Sequence, residues 1–185
     1  MDDTTLASDS PEVDYEKSVK SGWIVYKNSI FAMFGGVMSF LLYTFLIVIA
    51  SLGLLSELND HSINIVNIAL PLFVIFWLVS NIIFNNVLVK VEGKSREDNK
   101  ATILSIIDDN FSSFDFIINN EKVMRSFKPV GSPMWGRIIT ILFEGDTIYL
   151  NITTLGRSNS PTMIHGLLNY IKAKRIARYY RLHYS

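Results

Sequence analysis

Few side chains in this chain titrate near neutral pH, since it has three histidines and no cysteine. There is no cysteine, which removes disulfides, thiolate metal sites and a thiol nucleophile together. The three histidines are His61, His165 and His183. His165 has candidate hydroxyls close in sequence, Ser158 and Ser160, and Asp146 is a candidate acid. A Ser–His–Asp arrangement needs those groups in hydrogen-bonded sequence, and spacing alone does not supply it. A histidine on a helix is more commonly packed or solvated. No HExxH or HxxxH spacing occurs for a metal, and neither GxGxxG nor GxxxxGK[ST] occurs for a nucleotide. The sequence therefore predicts no catalytic residue, no metal, no cofactor and no enzyme.

Binding is better represented. Gly156-Arg157-Ser158-Asn159-Ser160 is a polar loop leading into a helix. Backbone N–H groups at such a place can hold an anion with Arg157 beside them, or can simply be capped. Trp135 stands in an apolar loop next to Arg137, and suits either a partner contact or the edge of a core. The end of the chain, KAKRIARYYRLHYS, carries Lys172, Lys174, Arg175, Arg178 and Arg181 and no acid. These residues match anionic lipid headgroups or an acidic partner, at roughly 1 kcal/mol per cation near a charged bilayer. They would also match the negative end of a helix dipole with no partner at all. Nucleic acid is a weaker reading, since no nucleic-acid motif accompanies the charge.

The formal net charge of zero hides this segregation. Residues 1–28 hold three lysines and six acids, for −3, and residues 90–185 hold fourteen Lys plus Arg and nine acids, for +5. Between them lie two runs without charge, Ser29–Ser56 and His61–Val89, with His61 taken as neutral. Both exceed the length that suggests a membrane span. The sequence predicts spans over about 31–55 and 63–87, joined by ELNDHS (57–62) as an antiparallel hairpin. Lys17, Lys20 and Lys27 before the hairpin and Lys90, Lys94, Arg96 and Lys100 after it place both termini in the cytoplasm. Small residues such as Gly36 and the amide of Asn81 are the candidate interhelical contacts. No Asp, Glu, Lys, Arg or His lies in either predicted span, which argues against a pump or channel acting alone.

After the hairpin, 96–111 has Ile103, Ile106 and Ile107 at helical spacing. Stretches 114–129 and 137–154 alternate as strands around Asn119-Asn120 and Glu144-Gly145-Asp146. Ser160-Pro161 suggests a helix start, and the last helix is expected over 161–182. The expected fold is thus a membrane α-helical hairpin plus a small cytoplasmic α+β domain: helix, four-stranded antiparallel meander, C-terminal helix. The domains would be an acidic, disordered or interfacial segment (1–28), the hairpin (29–89) and the α+β domain (90–185). This layout, through the stretch Trp135 to Ile152, resembles bacterial membrane proteins with PH-like cytoplasmic domains, a likeness of fold alone.

The function expected from these readings is a non-enzymatic, multi-pass protein of a bacterial inner membrane. Its cytoplasmic domain would bind a protein partner or lipid headgroups. The alternative is an accessory or immunity-type subunit acting through its hairpin. Membrane lipid, a protein of unknown identity and a second copy of the chain are the expected partners, and nucleic acid is not.

Overall fold

The computed structural model describes residues 12–27, 41, 44–56, 65–111, 115–128, 135–156, 161–162 and 164–184. The described helices are α1 (Tyr15–Ser21), α2 (described over 44–56), α3 (Ile65–Phe84), α4 (Arg96–Asn110) and α5 (Gly166–Tyr184). The strands are β1 (Val89–Glu92), β2 (Asp115–Asn119), β3 (Val123–Lys128), β4 (Gly136–Glu144) and β5 (Thr147–Leu155). They form one antiparallel five-stranded sheet in the order β1-β5-β4-β3-β2. The expected four-strand meander is present as β2 to β5. A fifth strand, β1, joins the outer edge of β5, pairing Val89 with Leu150 and Val91 with Ile148.

Alternation along β4 and β5 sorts the side chains onto two faces. Ile139, Ile141, Phe143, Ile148, Leu150 and Ile152 face α4 and α5, where they meet Ile103, Ile106, Ile107, Ala173, Ile176, Ala177 and Tyr180. The isoleucines of α4 recur at the spacing of one helical face, so the whole stripe is buried. Ser95 caps α4: its Oγ accepts from Asp98 N–H and donates to the Asp98 carboxylate. Asn99, fully buried, ties α4 to its surroundings by bonds to both backbone groups of Lys94, to the Asp146 carbonyl and to the Tyr180 hydroxyl.

The opposite face is covered in part by residues 12–27, which the sequence places in a disordered or interfacial segment. Gly22 has φ +72°, reverses the chain after α1 and lets the backbone return alongside the strand region. Ile24 N–H donates to the Asn86 carbonyl at 2.8 Å, and Leu88 N–H to the Gly22 carbonyl at 2.9 Å. Val13, Ile24, Leu88, Val123, Leu142 and Tyr149 then form a second small core.

The membrane hairpin is not supported. Among the described residues, no helix is long and apolar enough to cross a membrane. The helical residues 44–56 rise about 20 Å at 1.5 Å each, against roughly 30 Å of hydrocarbon. In α3 the final turns belong to the sheet domain. Leu78, Ser80 and Asn81 are buried, and Phe84 stacks on Tyr170 of α5 with centroids 4.5 Å apart. That leaves 65–77, also about 20 Å, with Pro71 inside it and Ile65, Leu70, Phe73 and Phe76 exposed. The multi-pass topology, the inner-membrane location, the cytoplasmic assignment of both termini and the subunit acting through a hairpin all lose their basis with it. Gly36, the ELNDHS link and residues 1–11 lie outside the described residues.

Asn81, read as a contact within a membrane hairpin, meets the start of α5 instead. Asn81 Oδ1 accepts the Leu167 N–H at 3.2 Å, capping the first turn of α5 from a distant helix, while its Nδ2 donates to the Trp77 carbonyl at 2.7 Å. Asn151 of β5 donates to the carbonyls of Asn85 and Val87, at 3.1 and 3.0 Å. The α3–β1 corner is thereby fastened to both the sheet and α5. Gly166 permits this approach, because a Cβ there would meet the Asn81 carbonyl oxygen and, at 3.1 Å, the Asn85 nitrogen. Both obstacles are backbone and cannot swing aside. Gly166→Ala is therefore expected to cost about 1–3 kcal/mol through overpacking, measured by denaturant unfolding. A loss within error of zero would show that this helix contact is not tight.

Candidate functional site

The basic side chains on and beside α5 fall into two sets that face different surroundings. The outer set is Lys174, Arg175, Arg178 and Arg181. With Ile171 and Leu182 it lines an open groove of about 500 Å³ along the helix. The spacing follows from the burial of the other face: Ala173, Ile176, Ala177 and Tyr180 are fixed in the core, so the residues between them are exposed. Ile171 and Leu182 are exposed as well, the latter at 69%. The cationic heads are thus framed by apolar side chains. Lys174 also rests over the Tyr170 ring at 5.1 Å. No salt bridge joins Lys174, Arg175 or Arg178 to an acid among the described residues.

The inner set lies at the first turns of α5 against the end of β4. Arg137 of β4 stands opposite Thr154 of β5 in the ladder, on the face toward α5. Thr154 Oγ1 donates to Asn169 Oδ1 at 3.0 Å. His165, Asn169 and Lys172 follow one another at helical intervals beside these groups. The Arg137 guanidinium and the Lys172 ammonium both sit over the Phe111 ring, 4.9 and 3.9 Å from its centroid. The ring's apolar body shields them, and its π face offers them weak attraction. Trp135, 52% exposed, closes the rim with its ring 5.3 Å from that of His165.

The electrostatics of this corner are one-sided. Burial holds Arg137 below its ordinary value. Burial and the neighbouring Arg137 do the same to Lys172 and to His165. No carboxylate contributes to any of the three shifts. His165 also exchanges a hydrogen bond of 2.8 Å with Thr162 Oγ1 through its Nδ1.

The sequence-level candidates are therefore divided. Lys174, Arg175, Arg178 and Arg181 share the outer groove, whereas Lys172 turns inward and belongs with Trp135. Asn81 bonds to the start of α5. Arg157 and the loop 157–160 lie outside the described residues. The predicted helix start at Pro161 is displaced to Gly166, because Pro161 bridges Leu155 and Thr162 N–H donates to the Thr154 carbonyl, prolonging the sheet edge. Arg137 and Asn169 were not singled out by sequence reasoning. Arg137 was visible only as a charge at the head of an apolar strand. Asn169 was one polar residue among several on the helix.

Among the described residues no carboxylate is bonded to His165, and the one hydrogen bond to its ring is with the Thr162 hydroxyl, with no third group to complete a triad. Among the described residues no cluster of His, Cys, Asp and Glu could hold a metal ion. No protein family, no curated protein and no solved structure matches this chain, and the likeness to membrane proteins with PH-like domains has no counterpart among them.

The depressed His165 gives a signed pH prediction. A histidine whose folded-state value lies below its ordinary 6.5 favours folding above that value. The contribution is lost as pH falls from 6.5 through the depressed value, because the unfolded chain takes the proton first. Histidine NMR titration should place His165 below 6.5, and stability should fall faster below pH 6.5 in the native chain than in His165→Gln. Equal pH profiles would show that His165 does not titrate out of line.

Proposed function

We propose that this chain is a non-enzymatic binding module that docks an acidic, partly apolar segment of a partner protein along the outer face of α5. The observation that carries this reading is the groove itself. Lys174, Arg175 and Arg178 are exposed between Ile171 and Leu182, and residues 157–185 contain no acid to neutralise them. Exposed like charges at successive turns of one helix repel mildly, and an acidic partner relieves that repulsion. The apolar pair adds area that a purely ionic partner would not use. The groove is open and shallow, which suits an extended or helical segment better than a small molecule.

The test is fluorescence anisotropy with a labelled peptide alternating Glu and Leu, against a charge-matched peptide in which Leu is replaced by Ser. The intact chain should prefer the Glu–Leu peptide. Reversing the charge at Lys174, Arg175 and Arg178 together should weaken binding by about tenfold or more, equivalent to at least 1.4 kcal/mol. Binding should also weaken as salt rises. Indifference to the triple reversal would overturn the proposal. So would binding confined to duplex nucleic acid or to anionic lipid vesicles.

A further inference from the structure

The inner corner of α5 carries an observation that the outer groove does not explain. Two donors there are buried and have no hydrogen-bond partner among the described residues: Nε of Arg137 and Nδ2 of Asn169. Asn169 is only 7% exposed, and its oxygen is already occupied by Thr154. A buried donor left unmade costs free energy, and most buried polar groups in folded proteins are satisfied. Arg137 and Lys172 bring two formal positive charges to the same place, sharing one aromatic ring, and no acid among the described residues answers them. His165 stands beside them and can supply a third charge. Unanswered cations and unused donors in one half-buried corner are complementary to one kind of ligand, a compact anion rich in acceptor oxygens.

We propose that Arg137, Asn169, Lys172 and His165 form a binding site for a phosphate group, either free phosphate or the phosphoryl end of a small monoester. Arg137 would give a planar donor edge, Asn169 a neutral amide donor and Lys172 a point charge. These roles match a tetrahedral dianion with several oxygens better than a single carboxylate. Trp135 at the rim, exposed and tilted against His165, is placed to cover the organic part of an ester. Phosphate bound here would raise the pKa of His165, reversing the effect of Arg137, because a nearby anion favours the imidazolium. The site is independent of the outer groove: its residues are drawn from β4, the residue before α5 and the inner side of α5, and it shares no side chain with the groove.

The experiment is calorimetric titration of the full chain with inorganic phosphate and, separately, with phenyl phosphate, at low ionic strength, paired with NMR titration of His165. Saturable one-site binding and an upward movement of the His165 pKa are expected. Lys172→Gln and Arg137→Gln should each weaken phosphate by about tenfold or more, as expected for a charged hydrogen-bond donor. Lys174→Gln with Arg175→Gln, in the outer groove, should leave it unchanged. Lys172 is only half-buried, so Lys172→Gln remains informative if Arg137→Gln does not fold. Tighter binding of phenyl phosphate, lost in Trp135→Ala, identifies an ester as the ligand, and equal binding identifies free phosphate. Absence of saturable binding by the native chain overturns the site. Equal loss in the outer-groove variant, or a His165 pKa unmoved by phosphate, overturns it too.

Discussion

The contact between the end of α3 and the start of α5 holds the rest of the molecule in register. At that point the Asn81 side chain accepts the Leu167 N–H, and the Gly166 backbone lies against the Asn81 carbonyl. A helix start needs acceptors for its first N–H groups, normally supplied by a residue just before it. Here the acceptor comes from eighty-six positions earlier in the chain. The cap therefore does two things at once: it ends the unsatisfied turn of α5 and fixes the angle at which α5 leaves α3. Asn151 secures the same corner from the sheet side through the Asn85 and Val87 carbonyls. Once α5 is placed, its buried stripe must follow the sheet. The two basic faces follow from that.

A single helix thus presents two different electrostatic environments separated by a fraction of a turn. Outward, the cations line an open groove, where their contribution to affinity is screened. Inward, Arg137 and Lys172 are half-withdrawn from water, so the same charges carry a desolvation cost that is visible in their lowered proton affinity. Burial makes an interaction with an anion stronger and a missing anion more costly. It is therefore the inner corner, with fewer charges, that makes the more specific demand on a ligand.

Asparagine is the residue that misled the sequence reading and organises the structure. Its amide is expensive in an apolar setting unless both ends are bonded. Beside a long apolar run, that expense suggested partners in a neighbouring membrane helix. In the folded chain the partners are backbone groups of α5 and of the α3–β1 corner. A similar displacement occurs at the β2–β3 turn. Asn119 completes β2, and Asn120 alone makes the turn by accepting the N–H groups of Lys122 and Val123. The amide's need for partners could be anticipated, whereas the identity of those partners could not.

Local physics sufficed for the elements whose pattern is short-ranged. The isoleucine spacing of 103, 106 and 107 marked α4, a short apolar run marked β4, and alternation marked β5. Glu144-Gly145-Asp146 marked their turn, with Gly145 at φ +55°. The basic composition of the last helix was equally plain, because charge can be counted without knowing the fold. What the sequence could not decide was which partners each residue would meet. Apolar runs look alike whether they face lipid, water or protein, so the hairpin was expected where the end of α3 is instead fastened to a sheet. The inner site was hidden for the same reason. Arg137 and Lys172 are thirty-five positions apart, and only the antiparallel pairing of β4 with β5, followed by the docking of α5 through Asn169, brings them onto one ring. Sequence determines periodicity and charge locally, and tertiary structure decides which of those charges is buried together with which donors.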